Sequence, residues 1–490
     1  MFARHLPDST DCGGQADDKS MLHTMTDITE TKTRTPRFAA LQPWIAEARE
    51  LMKVSAPLIA MQLTQFGSLT ADVIMVGKLG EEALAATSIG AVMFYFAWLG
   101  GYGPVMAVSP IVSQILGAHP NDRARSRAAV RMGLWAAAIV SVPLMIFLIW
   151  TRPVLLALGQ QPHIVEQAVP WVGIVAFGLP FTLAFGVLRN FASATGRQNA
   201  VLGISVATLA VNILLNWILI FGKLGAPALG IVGSAIATVI AYAFSFFAML
   251  ALLILSPHFA KFRLLHHFFR PDWKRLKEVF RLGFPMGMSM IFEAMLFNAA
   301  TLIMGTFGAA SLAAHQIAMN LAGIAFMIPL GMGLGATVRV GLAAGARDAE
   351  GARLAGHTAI ICSAAVAVFF AACMAMFPYT LVGLYVSGES PNTAEVVNLA
   401  VSFLMFAAFF HLFDALQVTG QMGLRGLKDA NMPMWIAGLS YWLIGFTVAW
   451  GLAFGAGWQG VGVWTGLTAS LAVAAFGMVW RFEIISRRPL

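Results

Sequence analysis

The chain is dominated by long runs of apolar residues, separated by short stretches of glycine, proline and charged side chains. A run of about 20 apolar residues is long enough to cross a bilayer as an α-helix. Twelve such runs have approximate centres near Leu63, Trp98, Val140, Ile174, Leu209, Ala241, Met295, Phe326, Val366, Leu404, Tyr441 and Leu471. Because the runs are continuous rather than alternating, they indicate helices and exclude a β-barrel. The pattern therefore predicts an all-α polytopic membrane protein with 12 transmembrane helices.

Composition supports this fold class, and the distribution of charge predicts how the chain is oriented in the membrane. Of the 490 residues, 59% are hydrophobic and 11% are charged, whereas soluble proteins are about 25% charged. The connections after odd-numbered spans contain only Lys78, Arg152 and Lys223 as basic residues. Those after even-numbered spans carry the segment 261–281 and Arg123, Arg125, Arg127, Arg131, Arg189, Arg197, Arg339, Arg347, Arg353, Arg425 and Lys428. The positive-inside rule then predicts an inner-membrane protein with both termini in the cytoplasm, and the net charge of +8 calls for no nucleic-acid partner.

The two halves of the chain resemble each other. Residues of the first half return in the second at a fixed spacing, among them Pro57, Gly77 and Gly80 as Pro285, Gly305 and Gly308. With six helices per half, both halves enter the membrane in the same sense, as a parallel internal repeat about the membrane normal. Such a pair suits alternating access across a cleft, although a duplication that serves only packing is the alternative.

The repeat sets the predicted domain boundaries. We expect a disordered cytoplasmic tail (1–49), a first lobe of helices 1–6 (50–256), a basic cytoplasmic linker (257–281), a second lobe of helices 7–12 (282–482) and a cytoplasmic tail (483–490).

Three acidic residues lie inside the predicted spans: Asp72, Glu293 and Asp414 on the first, seventh and tenth helices. A charged side chain at the bilayer centre costs roughly 2.5–3.5 kcal/mol on insertion scales, and intramembrane acids mark ion pathways. The sequence indicates no lysine or arginine deep in any span. We therefore expect a proton, a metal cation or a cationic substrate to neutralise these acids. The alternative is that they are only hydrogen-bonded within the bundle.

Other polar side chains recur at helical spacing. Gln65 shares a helix face with Asp72, and its equivalent in the repeat is Glu293. The candidate cleft residues are Gln65, Gln316, Asn320 and Gln417, and a further polar group on the fifth and sixth helices consists of Asn212, Asn216 and Thr238. Each of these could instead form a hydrogen bond between helices.

Five stretches carry a resemblance to a known family: ADVIMVGKLG at Ala71, LNWILIFGKLGAPALGIVG at Leu215, RLGFPMGMSMIFEAMLF at Arg281, AAHQIAMN at Ala313 and DALQVTGQMGLRGLKD at Asp414. Together they make the chain similar to the multidrug and toxic compound extrusion (MATE) transporters, most closely the NorM-like branch, over nearly all of residues 50 to 482. The resemblance implies two six-helix lobes arranged in a V.

The resemblance also implies roles for the polar residues. The first-lobe acid that the family uses for cation coupling matches Asp72, and its companions match Asn212, Asn216 and Thr238. The second-lobe acids that bind sodium in the NorM-like branch match Glu293 and Asp414. Some relatives carry a tyrosine one turn before the tenth-helix acid, where this chain has Phe410. Because Phe410 lacks a phenolic oxygen, we expect protons to drive transport more strongly than sodium does.

The sequence thus predicts a multidrug efflux antiporter and not an enzyme. We expect it to export amphipathic or cationic drugs in exchange for H⁺ or Na⁺, as a monomer among membrane lipids and without a cofactor. One alternative is a flippase for lipid-linked substrates, which would need a basic cleft for phosphates. Another is an intramembrane transferase, which would need a catalytic cluster at a membrane face.

Overall fold

The computed structural model describes residues 37–264, 266–386 and 391–488, which are predominantly helical and include no β-strand. The helices of the first half are α1 (Arg37–Gly77), α2 (Glu81–Ala118), α3 (Arg123–Ile149), α4 (Thr151–Ala157), α5 (Pro162–Ala176), α6 (Leu179–Ala194), α7 (Gln198–Phe221), α8 (Gly230–Leu255) and α9 (Pro257–Ala260). Those of the second half are α10 (Trp273–Thr306), α11 (Ala309–Gly345), α12 (Ala349–Met376), α13 (Pro378–Gly383), α14 (Pro391–Gly426), α15 (Asn431–Gly438), α16 (Thr447–Trp450) and α17 (Gln459–Ser486).

The predicted number of spans is confirmed. Within the described residues, 11 helical segments are long and apolar enough to cross a membrane, and the pair α5 and α6 makes a twelfth span that is bent by 43°. The bend falls at Phe177 and Gly178, just before Pro180 near the start of α6. Proline lacks the backbone N–H that would continue the hydrogen-bond ladder, so a break at this place is expected.

Helices extend beyond the apolar runs at three of the predicted domain boundaries. Residues 37–49, assigned to a disordered tail, form the start of α1. The predicted linker contains α9 and the beginning of α10, where the Asp272 carboxylate accepts a hydrogen bond from the Arg275 N–H at 3.1 Å. Similarly, α17 continues to Ser486. Hydropathy marks only the part of a helix that lies in hydrocarbon, whereas capping determines where the helix begins. Residues 1–36 and 489–490 lie outside the described ranges.

The eleventh span has an unusual backbone. Within the continuous span Asn431–Gly455, the segments Leu439–Phe446 and Gly451–Gly455 are π-helical. A π-helical turn inserts an extra residue and re-aims the side chains around it, and such turns occur frequently at functional sites. Tyr441 lies in the first of these segments.

The two halves contact each other close to the loops that carry most of the basic residues. We call the side of the membrane on which these loops lie the basic end. A Cβ atom at Gly103 of α2 would overlap the backbone of Gly283 and Gly287 of α10. Side chains also cross between the halves there. The amide of Gln114 donates to the Gly426 carbonyl at 2.9 Å, and two Arg339 nitrogens donate to the Glu47 carboxylate. We call this set of contacts the seam.

Candidate functional site

The first-half acid site consists of Asp72 with two asparagines of α7. The Asn216 amide nitrogen donates to an Asp72 carboxylate oxygen at 2.5 Å and to the Asn212 side-chain oxygen at 3.3 Å. Asn212 and Asn216 are buried, while Asp72 is half-buried. The four-residue spacing places both asparagines on one face of α7, opposite α1. The structure therefore brings together three of the four residues expected at this site.

The fourth expected residue, Thr238, is buried, but its hydroxyl donates to the Ser234 carbonyl of its own helix at 3.0 Å. This is the usual bond of a threonine inside a helix. Gln65, predicted to share a face with Asp72, is exposed.

The second-half cavity brings the other two acids together. It has a volume of about 80 Å³. Glu293 of α10 and Asp414 of α14 both line it. The other lining residues are Phe297, Met319, Ala322, Gly323, Phe326 and Phe410. Its wall is thus apolar apart from the two carboxylates, an arrangement suited to a cation or to the charged group of an amphipathic molecule.

The second-half acids have few fixed partners. Asp414 is 5% exposed, and its Oδ1 atom has no hydrogen-bond partner among the described residues. No group of three or more His, Cys, Asp or Glu side chains in the described ranges could hold a metal ion. A cation between Glu293 and Asp414 would therefore take its remaining ligands from neutral oxygens.

The remaining predicted cleft residues differ in burial: two are exposed and one is buried. Gln316 and Asn320 of α11 are exposed, and the Asn320 side-chain oxygen accepts a hydrogen bond from the Tyr385 hydroxyl at 3.0 Å. Gln417 is fully buried one turn after Asp414, and neither its amide nitrogen nor its oxygen has a hydrogen-bond partner within the described part of the chain.

Arg425, which the sequence assigns to the connection after the tenth span, belongs to a helix and is buried. It belongs to the last turn of α14, is 3% exposed and lines a cavity of about 20 Å³ at the seam. Its guanidinium donates to the Gln421 side-chain oxygen at 2.8 Å and contacts the sulfur of Met106 in α2 at 3.8 Å. Glu293 and Arg425 interact electrostatically.

Two buried polar residues of the second half were not predicted from the sequence. Arg425 lies three residues from Lys428 at a helix end, and no sequence signal distinguishes a buried arginine there from one in a loop. For Tyr441 a signal was available: the chain has only six tyrosines, and this one lies at the centre of an apolar run. A hydroxyl at that depth needs a partner.

Comparison with known proteins identifies the family. The MatE family model matches residues 57–218 and 285–450. The two matches begin at Pro57 and Pro285, which correspond in the internal repeat. The chain belongs to the MatE family. This confirms both the predicted MATE membership and the duplicated fold.

Individual relatives agree with this assignment. The chain is 39% identical to a probable multidrug resistance protein NorM of Mesorhizobium japonicum, covering 90% of this chain and 94% of the relative. It is 38% identical to a protein of the same name from Pseudomonas aeruginosa, covering 91% of each. Among solved structures, the eukaryotic MATE transporter AtDTX14 matches with a TM-score of 0.81 and 22% identity, over 91% of this chain and 98% of that one. That likeness confirms the V-shaped fold of two six-helix lobes.

Proposed function

We propose that this MATE protein is a secondary antiporter that exports amphipathic or cationic drugs from the cytoplasm in exchange for H⁺ or Na⁺. The observation that carries the proposal is the second-half cavity, in which two carboxylates face apolar walls on helices of the membrane interior. Acids at such depth serve ion and substrate pathways. The relatives named NorM are called multidrug resistance proteins, which supports drugs as the exported molecules.

Both acid sites contribute to the proposed exchange. At the first site, Asp72 with Asn212 and Asn216 binds the coupling ion, and Thr238 supports α8 beside it. At the second, Glu293 and Asp414 bind either the cation or the positive group of the drug, so that the two compete. Gln65, Gln316 and Asn320, which are exposed, are proposed to contact drugs in the cleft.

The seam supports alternating access. Its contacts lie in the portions of α1, α2, α10, α11 and α14 next to the basic connections. Since basic connections face the cytoplasm, we place the basic end and both termini at the cytoplasmic side of the inner membrane. The lobes 50–256 and 282–482 would then be closed toward the cytoplasm, and the export cycle would open the seam to admit a drug. We take the monomer, surrounded by lipid, as the transporting unit.

The alternatives receive less support from the second-half cavity. A flippase for phosphate-bearing lipids needs basic groups where the substrate binds, but the charged groups lining this cavity are acids. A transferase needs its reactive groups converging at a membrane face, whereas Asp72 and the second-half acids belong to separate sites.

The test is uptake of a fluorescent cationic drug into proteoliposomes, with the proton and sodium gradients imposed separately. We expect the drug to accumulate in the proteoliposomes when a proton gradient alone is imposed. A sodium gradient alone should give a slower rate of uptake. A Glu293→Gln/Asp414→Asn double variant is the control for leak. Drug movement that ignores both gradients, or that equals the control, would overturn the antiport proposal.

A further inference from the structure

Arg425 is a buried positive charge without a carboxylate partner. The only oxygen among its described hydrogen-bond partners belongs to Gln421, at 2.8 Å. Its other described contacts are to the sulfur atoms of Met106 and Met422, at 3.8 and 3.3 Å, and thioether sulfur is a weak acceptor. Among the described residues, no Asp or Glu oxygen lies within ion-pair distance of this guanidinium. A charge buried in this way needs a counterion.

The cavity of about 20 Å³ that Arg425 lines is built by both halves, and we call it the seam cavity. Its lining residues are Tyr102, Met106, Ser109 and Asn190 of the first half and Leu334, Thr337, Met422 and Arg425 of the second. About 10–15 Å³ is enough for one particle of the size of a water molecule. The seam cavity therefore has room for one water molecule or one small ion, and it is too small for an anion such as phosphate or sulfate.

The first-half wall of the seam cavity offers hydrogen-bond donors. Ser109 is 9% exposed, and no hydrogen bond within the described part of the chain involves its hydroxyl. The Tyr102 hydroxyl accepts a hydrogen bond from Arg189, so its own O–H is free to donate. The Asn190 amide donates to the Val105 carbonyl at 2.8 Å and has a second N–H. Hydroxyl and amide donors beside a guanidinium form a site for an anion.

The charge around the seam cavity is positive on both sides. Arg189 is half-buried behind Tyr102, and in the described ranges it too has no Asp or Glu oxygen within ion-pair distance. The Glu293 carboxylate, whose charge acts on Arg425 from farther away, lines the second-half cavity instead. A water molecule in the seam cavity would accept hydrogen bonds but would leave the positive charge uncompensated, whereas a monovalent anion does both.

We propose that the seam cavity binds a chloride ion, held by the Arg425 guanidinium from the second half and by the Ser109 and Tyr102 hydroxyls from the first. The ion compensates the buried positive charge and links the two halves at the seam. The seam cavity is separate from the two acid sites, and its ligand is an anion that is neither the coupling ion nor the drug. The inference therefore does not rest on the proposed function.

The experiment measures chloride binding in the absence of sodium and drug. The purified full-length protein in nanodiscs is melted while choline chloride replaces choline gluconate at constant ionic strength. The midpoint of the chloride-dependent rise in melting temperature gives the apparent affinity. We expect this rise in the wild type and not in Arg425→Gln. Arg123→Gln, which removes an exposed positive charge at the basic end, is the matched control and should keep the wild-type response.

A second variant separates a lost chloride ligand from a general loss of stability. Ser109→Ala removes one hydroxyl and no charge, and it should weaken chloride binding about tenfold, as expected for one hydrogen bond to a charged group. Ser245→Ala is its control, because Ser245 is also buried in the first half but its hydroxyl donates to the Tyr242 carbonyl at 2.7 Å. Chloride affinity should be unchanged in Ser245→Ala.

Bromide locates the site directly, because it resembles chloride and scatters X-rays anomalously. Crystals grown in bromide should show an anomalous peak between Arg425 and Ser109, and the absence of a peak there would overturn the proposal. A wild type that melts at the same temperature in chloride and in gluconate would also overturn it and would leave water as the occupant of the seam cavity. Wild-type chloride affinity in Ser109→Ala or in Arg425→Gln would show that chloride binds elsewhere. None of these results depends on whether the protein exports drugs.

Discussion

The two halves of this protein share a fold but treat their intramembrane acids differently. In the first half, Asp72 is half-buried and is held by a hydrogen bond from Asn216 at 2.5 Å. In the second half, Glu293 and Asp414 line a cavity, and the Oδ1 atom of Asp414 has no partner among the described residues. Asp72 is thus held by a neutral amide, whereas Glu293 and Asp414 are available to a mobile cation or a drug.

This difference suggests a division of labour. A single carboxylate that accepts a hydrogen bond from a neutral amide is suited to binding and releasing one proton, because no fixed positive charge holds it ionised. Two carboxylates across an apolar cavity are suited to a larger cation, including the charged group of a drug. The helices of the repeat have therefore been retained while the sites on them have diverged, as the pairing of Gln65 with Glu293 in the repeat already indicates.

The largest effect is expected at the first site. Asp72→Asn should abolish drug export while leaving folding intact, because the amide is nearly isosteric and cannot exchange a proton. Drug resistance of cells that produce the variant at wild-type level in the membrane is the measurement. Gln161→Asn, an amide change at an exposed position outside both acid sites, is the control. Full resistance conferred by Asp72→Asn would show that this acid is only structural.

A smaller effect is expected when only the partner of that acid is removed. Hydrogen bonds to charged groups contribute about 1.5–3 kcal/mol, so Asn216→Ala should reduce export at least about tenfold, each factor of ten corresponding to about 1.4 kcal/mol. The control is Asn298→Ala, because the amide of Asn298 donates to the Ala294 carbonyl of its own helix and not to an acid. Equal losses in both variants would mean that Asn216 acts through general packing.

The two halves also show which features can be predicted from the sequence. The apolar runs predicted the helices, because a helix that crosses a bilayer needs a long and continuous apolar stretch. The isolated acids within these runs were recognisable for the same reason. The spacing of Asn212 and Asn216 predicted a shared helix face, and the structure places that face against Asp72. These are local properties of a helix, so a single sequence contains them.

Properties that depend on how helices meet could not be predicted in this way. Arg425 lies at a helix end and looks like a loop residue until α2 covers it with Met106. Thr238 has the right spacing with Ser234, but its hydroxyl returns to its own helix. The π-helical segment around Tyr441 contains no proline or charged residue from which it could be predicted. For Arg425, the decisive neighbour is distant in sequence.

The smallest effect on the fold, and the sharpest test of the comparison, is expected for Glu293→Gln. Gln65 occupies the equivalent position of the first half, so this helix position accommodates a neutral amide of almost equal shape. Removing the charge removes a burial cost of roughly 2.5–3.5 kcal/mol. Part of that gain is offset, because Arg425 loses the attraction of Glu293. The melting temperature of the variant should therefore equal or exceed that of the wild type.

The same variant should lose its response to ions. In the wild type, saturating sodium or low pH should weaken drug binding, because the ion or proton competes with the drug for Glu293 and Asp414. In Glu293→Gln, drug affinity should be lower from the start and should barely change with sodium or pH, since one of the two competing carboxylates is gone. Drug binding to both purified proteins across pH and sodium, beside their melting curves, makes the comparison. A variant with wild-type drug affinity and a wild-type ion response would show that the charge at Glu293 serves neither ligand, and that the second half is no more an ion site than the position of Gln65 in the first.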